Sequence, residues 1–278
     1  MAPSVADIID IIQIIAPIDR AEPWDNSGLQ VGNPDAPVNK VAVALEPGEQ
    51  TIRTARAEGA DLLITHHPLI FPKISSIDVR TGAGKAVAAA LETGISVYSA
   101  HTNLDHAPEG TSAAMARRLS LIDPAPLPCP DPTAYGQNDT SDRVAAQDGI
   151  VFIGGLSSNM NLIALARLVK KSLNAPMVRM VGDPQLPVSR AAVCAGSGGD
   201  YIAAAHSAGA DVFITGEIRY HAALAAADLG ICVIEAGHFW SELPVIAETA
   251  RMIGQETRAR GWSVGVTVIQ GQDPFKYE

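Results

Sequence analysis

The phrase Gly59-Ala60-Asp61…Ile64-Thr65 returns 150 positions later as Gly209-Ala210-Asp211…Ile214-Thr215. No other feature constrains the fold as much. Aligned without gaps, residues 42–65 match 192–215 at Ala42, Val43, Gly48, Ile52, Ala55, Gly59, Ala60, Asp61, Ile64 and Thr65. A second match follows at a shift of 136, where Gly94-Ile95-Ser96-Val97 falls on Gly230-Ile231-Cys232-Val233 and Ala100 on Ala236. Solenoid repeats run to about 20–50 residues. A spacing of 150 instead implies a duplicated domain.

Within each copy the pattern alternates between short apolar runs and alanine-rich helical stretches. Strands are expected at 41–45, 61–65 and 95–99, and again at 150–153, 177–181, 190–195 and 211–215. Helices are expected at 4–16 with Ser4 as cap, 50–58, 84–92, 111–119, 160–173 and 200–208. Strands alternating with helices of this length make βαβ units. The expected fold class is therefore α/β: two similar α/β domains from an internal duplication, with mixed, mostly parallel sheets. From 124 to 132 there are five prolines, then Gln, Asn, Asp, Thr and Ser, and periodicity disappears. The expected division is 1–123, a Pro-rich linker 124–148, and 149–278, with the last strand able to return to the first domain.

Bulk chemistry excludes several classes. A net charge of −10 argues against a broad nucleic-acid surface, which needs clustered Lys and Arg. No apolar run approaches the roughly 20 residues of a membrane span. The first apolar stretch carries Asp7 and Asp10, unlike a secretory leader. Cys129, Cys194 and Cys232 lack metal-type spacing and read as reduced thiols of a cytoplasmic protein.

In an α/β sheet, ligands gather at the carboxyl ends of the strands. There the first copy carries His66-His67-Pro68 and His101-x-x-x-Asp105, and the second Gly216-Glu217 and His238-x-x-x-Glu242. If the two copies face each other across a pseudo-two-fold axis, these edges share one interdomain cleft. Pro68 pushes His67 toward extended geometry. Successive side chains of an extended segment point opposite ways, so His66 and His67 are expected to serve one ion each of a pair. Ser241 suits a helix cap and Pro244 a first turn, placing Glu242 where the helix dipole favours its charged form. The bland readings are a strand end with two solvent-facing histidines, and a glutamate that only serves a helix end. The second copy keeps the strand, as GADVFITGEI, without the histidines, so the fold does not require them. Imidazoles with carboxylates suit zinc, iron or manganese. His66, His67 and His238 with Asp105 and Glu242 make five ligands, which exceed one open zinc site and fit a two-metal site instead. His206 lies in a helical stretch and reads as structural or surface. The chain shows no P-loop and no dinucleotide fingerprint.

Five segments together, WDNSGLQVG at 24–32, ITHHPLIF at 64–71, AHTNLD at 100–105, TGEIRYH at 215–221 and GHFWSE at 237–242, resemble the NIF-three-like dinuclear metal-centre family. Many members of that family carry the name GTP cyclohydrolase I type 2 homologue. The resemblance spans nearly the whole chain. It implies a two-metal site in the cleft between two α/β domains and a toroidal homohexamer. His67 and Asp105 would hold one of two divalent ions and His66 and His238 the other, with Glu242 bridging. His101 and His221 match positions close to the site and would move protons. Many relatives have aspartate where this chain has Glu46, and many carry an inserted domain for which the Pro-rich interval leaves no room. The expected function is a metal-dependent hydrolase acting on a small molecule, GTP or a related nucleotide. The alternative is a non-catalytic metal-binding regulator or scaffold.

Overall fold

Gly59 (φ +85°) and Gly209 (φ +80°) take left-handed backbone at matched places, each turning a helix into the strand that follows. The computed structural model describes residues 2–128 and 149–278. Cys129 and the rest of the interval to 148, most of the stretch read as a linker, lie outside the described residues. The chain divides into two compact units, Met1–Ala107 with Ile246–Gln272, and Pro108–Val245 with Asp273–Glu278.

In the first unit the elements run α1 (Val5–Ile15), β1 (Gly28–Val31), β2 (Lys40–Ala44), α2 (Glu49–Ala57), β3 (Leu62–Thr65), α3 (Gly82–Thr93), β4 (Ser96–Ser99) and the short α4 (Thr102–Asp105). Ser4 caps α1, accepting from the Asp7 amide while Asp7 returns a bond to the Ser4 amide. The second unit begins with α5 (Thr111–Arg118), β5 (Ile122–Leu127), β6 (Val151–Asn161), α6 (Leu162–Leu173), β7 (Arg179–Val181) and β8 (Pro187–Ser197). It continues through α7 (Ile202–Ser207), β9 (Val212–Glu217), α8 (Tyr220–Leu229) and β10 (Cys232–Glu235). Helix α9 (His238–Ala259) leads back to the first unit, where β11 (Gly265–Val268) pairs in parallel with β2.

The first sheet has the order β1-β4-β3-β2-β11, parallel except for the β1–β4 pair. The second has the order β5-β6-β8-β9-β10-β7; β8, β9 and β10 are parallel and the remaining pairs antiparallel. Both sheets are built on the same three-strand core. Val41 faces Leu62 as Ala191 faces Val212, and Ile64 faces Tyr98 as Ile214 faces Ile234. The repeat read from the sequence is this core, down to its register. Strand β5 continues through Pro124 and Pro126, which a strand at the sheet's edge tolerates because no second neighbour needs their missing N–H groups.

The sparse aromatic content leaves the cores aliphatic. In the first unit Ile52, Leu63, Val87, Ile95 and Val97 pack between α2, α3 and the sheet. In the second, Leu165, Val169, Val193 and Ile214 fill one face of the sheet, and Ile202, Phe213 and Val233 the other. Cys194 and Cys232 are buried and outside any disulfide, as the sequence implied for them.

Candidate metal centre

Strand β3 ends at Thr65, yet its ladder persists for two more residues. His66 N donates to Ala44 O at 3.2 Å and His67 N to Leu45 O at 3.0 Å. The Thr65 hydroxyl donates to His67 O at 2.8 Å and bends the chain there. Alternation of side chains stops with the strand. His66 and His67 therefore do not point apart as expected; their ring centroids lie 5.0 Å from each other. His101, placed by the end of β4, completes the group, 5.2 Å from the His66 ring and 5.6 Å from that of His67. One nitrogen from each of the three lies within 4.8 Å of the others, so the trio could hold a metal ion.

Each imidazole is held through Nδ1. His66 Nδ1 is 3.0 Å from Ala100 O, a carbonyl that can only accept, so Nδ1 carries a proton and Nε2 is the nitrogen left to ligate. His67 Nδ1 is 2.7 Å from Glu46 Oε1, and His101 Nδ1 is 2.7 Å from Asp25 Oδ1. Metal-bound histidines in general carry this arrangement, with the non-ligating nitrogen tied to a carboxylate or carbonyl. The residues thus fit a bound divalent ion. Asp105, at the end of α4, brings a carboxylate oxygen to 3.6 Å from His66 Nε2.

Asp25 is a heavily hydrogen-bonded carboxylate. Besides His101 it accepts from the Asn26 amide (2.7 Å), the Ser27 hydroxyl (2.7 Å), and the amide and hydroxyl of Thr102 (3.1 and 2.6 Å). Burial opposes its ionisation. The hydrogen bonds from His101, Thr102 and Ser27 outweigh that and hold the carboxyl below the usual range. Trp24 and Phe71, 55% and 50% exposed, set their rings edge-on to His101, each with its centroid 6.3 Å away.

The second unit places His238 and Glu242 one turn apart at the start of α9, with His238 Nε2 3.0 Å from Glu242 Oε1. Glu217, from the end of β9, reaches 3.4 Å from His238 Nδ1. Ser241 is not the helix cap. Its amide already bonds back to Gly237 O at 3.0 Å, so the helix starts four residues earlier than its sequence suggests. The Ser241 hydroxyl accepts from Gly196 N at 2.9 Å and donates to His238 O at 2.8 Å. Gly196 (φ +66°) is a close neighbour of the carboxylate. A Cβ there would stand within 3.5 Å of His238 Nε2 and far inside the van der Waals radius of Glu242 Oε1. His221, in the first turn of α8, is exposed and packs edge-on against Tyr220. His206 is exposed on α7, matching its surface reading.

Sequence reasoning left three contributors to this geometry without a role: Asp25, Glu46 and Gly196. Asp25 stood inside the WDNSG segment, but its partner His101 is 76 residues away. The alternative that the histidines face solvent at a strand end fails for His66, which is 1% exposed.

Among curated proteins, the chain is 31% identical to a GTP cyclohydrolase 1 type 2 homolog of Clostridium perfringens over 98% of both chains. It is 32% identical to the same-named protein of Clostridium acetobutylicum over the full length of each. Among solved structures it resembles the Staphylococcus aureus hypothetical protein SA1388, with TM-score 0.91, 27% identity and complete coverage of both chains. A Bacillus cereus protein related to NIF3 gives TM-score 0.90 at 25% identity, again over the whole of both chains. The sequence model of the Duf34/NIF3 (NGG1p interacting factor 3) family matches residues 3–274, and with that span and these relatives the chain belongs to the Duf34/NIF3 family.

Proposed function

We propose that this protein is a metal-dependent hydrolase with a dinuclear centre, acting on a nucleotide of the GTP class. His67 and Asp105 would hold one divalent ion and His66 and His238 the other, with Glu242 as a further carboxylate ligand, the set that the family resemblance implies. The observation that carries the reading is the Nδ1 anchoring of His66 by Ala100 O and of His67 by Glu46, which fixes each ring in a ligating pose before any ion arrives. A pair of zinc, iron or manganese ions supplies Lewis acidity and activates water at neutral pH.

The chain's own groups do the rest. His101, fixed by Asp25, and His221 move protons to and from the reacting centre. Trp24 and Phe71 offer a half-exposed aromatic surface against which a planar base can lie. The shared name of the Clostridium relatives supports the substrate class. The family resemblance also supports assembly as a homohexamer, which sedimentation tests directly.

Metal analysis of protein purified without chelator tests the centre: two ions per chain are expected, falling in Glu242→Gln and His67→Ala. One ion or none would sink the dinuclear reading. Two ions with no turnover of GTP or any other nucleotide would leave a metal-binding regulator or scaffold.

A further inference from the structure

Asp25 is placed to do more than anchor a loop. Its side chain is fully buried, whereas that of His101 keeps 17% of its surface exposed. Every donor around the carboxylate can be assigned. The Thr102 hydroxyl takes a hydrogen bond from the Glu22 amide at 2.9 Å, so its own proton points to Asp25 Oδ2 at 2.6 Å. The Ser27 hydroxyl takes one from the His101 amide at 3.2 Å, so its proton points to Asp25 Oδ2 at 2.7 Å. The amides of Asn26 and Thr102 can only donate. An ionised carboxylate surrounded in this way has no proton to give, and the group 2.7 Å away on His101 must be an Nδ1–H donor.

We propose that Asp25 is the positioning residue of this site, locking His101 in the tautomer protonated at Nδ1. Nε2 then carries the lone pair and accepts a hydrogen bond from water or substrate. The arrangement is that of a buried carboxylate orienting a catalytic imidazole, where the carboxylate selects the tautomer and is not itself protonated. Trp24, the residue before Asp25, lies edge-on to the same imidazole ring. One short loop thus both fixes the imidazole and flanks it. The inference deepens the hydrolase reading and rests on it for turnover only; the tautomer stands or falls alone.

The test is side-chain nitrogen-15 NMR of the zinc-loaded, full-length protein, with the His101 signals identified by their loss in His101→Gln. In the wild type, the proton is expected on Nδ1 and none on Nε2. Asp25→Asn keeps the shape and the acceptor toward Thr102 but presents an NH2 group to the ring. It is expected to exchange the two nitrogen signals, with the proton moving to Nε2. Asp25→Glu is expected to restore the wild-type pattern. A wild-type His101 bare at Nδ1 overturns the proposal, and so does an unchanged pattern in Asp25→Asn. If Asp25→Asn fails to fold, the wild-type spectrum alone decides.

Turnover separates the two readings. Asp25→Asn is expected to lose roughly 100-fold or more in kcat at unchanged zinc content, the scale of a lost proton-transfer partner. Exchanged signals in a protein that hydrolyses nothing would retain the positioning role and refute the hydrolase.

Discussion

Asp211 does for the second sheet what Asp61 does for the first. Asp61 Oδ2 accepts from the amides of Asn39 and Lys40 at 2.8 and 3.3 Å, and Asp211 Oδ2 from those of Ser189 and Arg190 at 2.8 and 2.9 Å. The aspartate's own amide returns a bond to the carbonyl of Lys40 or Arg190 at 2.9 Å in both units. Each aspartate therefore closes the start of its central parallel strand pair. This explains why the GAD phrase survives twice in one chain.

The Asp211 carboxyl carries a pH signature. Partial burial works against its ionisation, but the bonds from Ser189 and Arg190 and the charge of Arg190 outweigh this and lower its pKa. A carboxylate lowered on folding stabilises the protein above its unfolded value of about 3.9, and the contribution fades as pH falls through the folded value. Asp211→Ala is expected to lose about 1–3 kcal/mol at pH 7 in urea unfolding, the scale of leaving such amides unpaired. The gap to wild type should narrow as the pH is taken below 4. A gap that stays constant down to acid would refute the charge-based account.

The scaffold was legible because its signals are local: strand periodicity, glycine stops and a phrase repeated at a fixed shift. The site was legible only as far as its motifs. The alternation rule misplaced His66 and His67 because it governs strands, and the strand ends at Thr65. Ser241 imitated a cap because its real partner, Gly196 N, lies 45 residues away in the chain. Asp25 escaped notice for the same reason, since a hydrogen bond between distant segments leaves no periodicity. Glu46 was visible as a departure from the family's usual aspartate, yet only the fold shows it gripping His67.

Glu46 therefore supports a prediction. Its carboxylate is half exposed and bonds the His67 ring, so its removal is expected to free that ring to turn. Glu46→Ala is expected to weaken zinc binding by about 10- to 100-fold, the usual cost of deleting a partner behind a ligating histidine. Competition with a chromophoric chelator measures this, and unfolding midpoints of the metal-free proteins should coincide. Equal zinc affinities would remove Glu46 from the centre.

Gly196 supports the complementary prediction in the second unit. A methyl group there meets Glu242 Oε1 at once, and the left-handed backbone adds strain. Gly196→Ala is expected to displace the carboxylate and lower the metal content below that of the wild type. It should also cost about 1 kcal/mol or more in stability from the backbone alone. Metal analysis beside a urea titration separates the two effects. A variant that is destabilised yet fully loaded would show that Glu242 has room to yield and still bind.

The aromatic surface can be tested without any chemistry. Trp24 and Phe71 meet edge to face, with ring centroids 6.1 Å apart and an interplanar angle of 66°. The pair is therefore not a closed sandwich. Both residues are about half exposed beside His101, and the proposed base would stack on one of them. Stacking of one base on one aromatic side chain is worth about 1–3 kcal/mol, so Trp24→Ala is expected to weaken GMP binding roughly 5- to 150-fold. Calorimetry on the zinc-loaded protein measures this, with ribose 5-phosphate as the ligand that lacks the base. If the base supplies the affinity, the sugar phosphate binds wild type and Trp24→Ala alike, and only the nucleotide distinguishes them. Equal GMP affinities in the two proteins would mean that the exposed rings serve some surface other than the base.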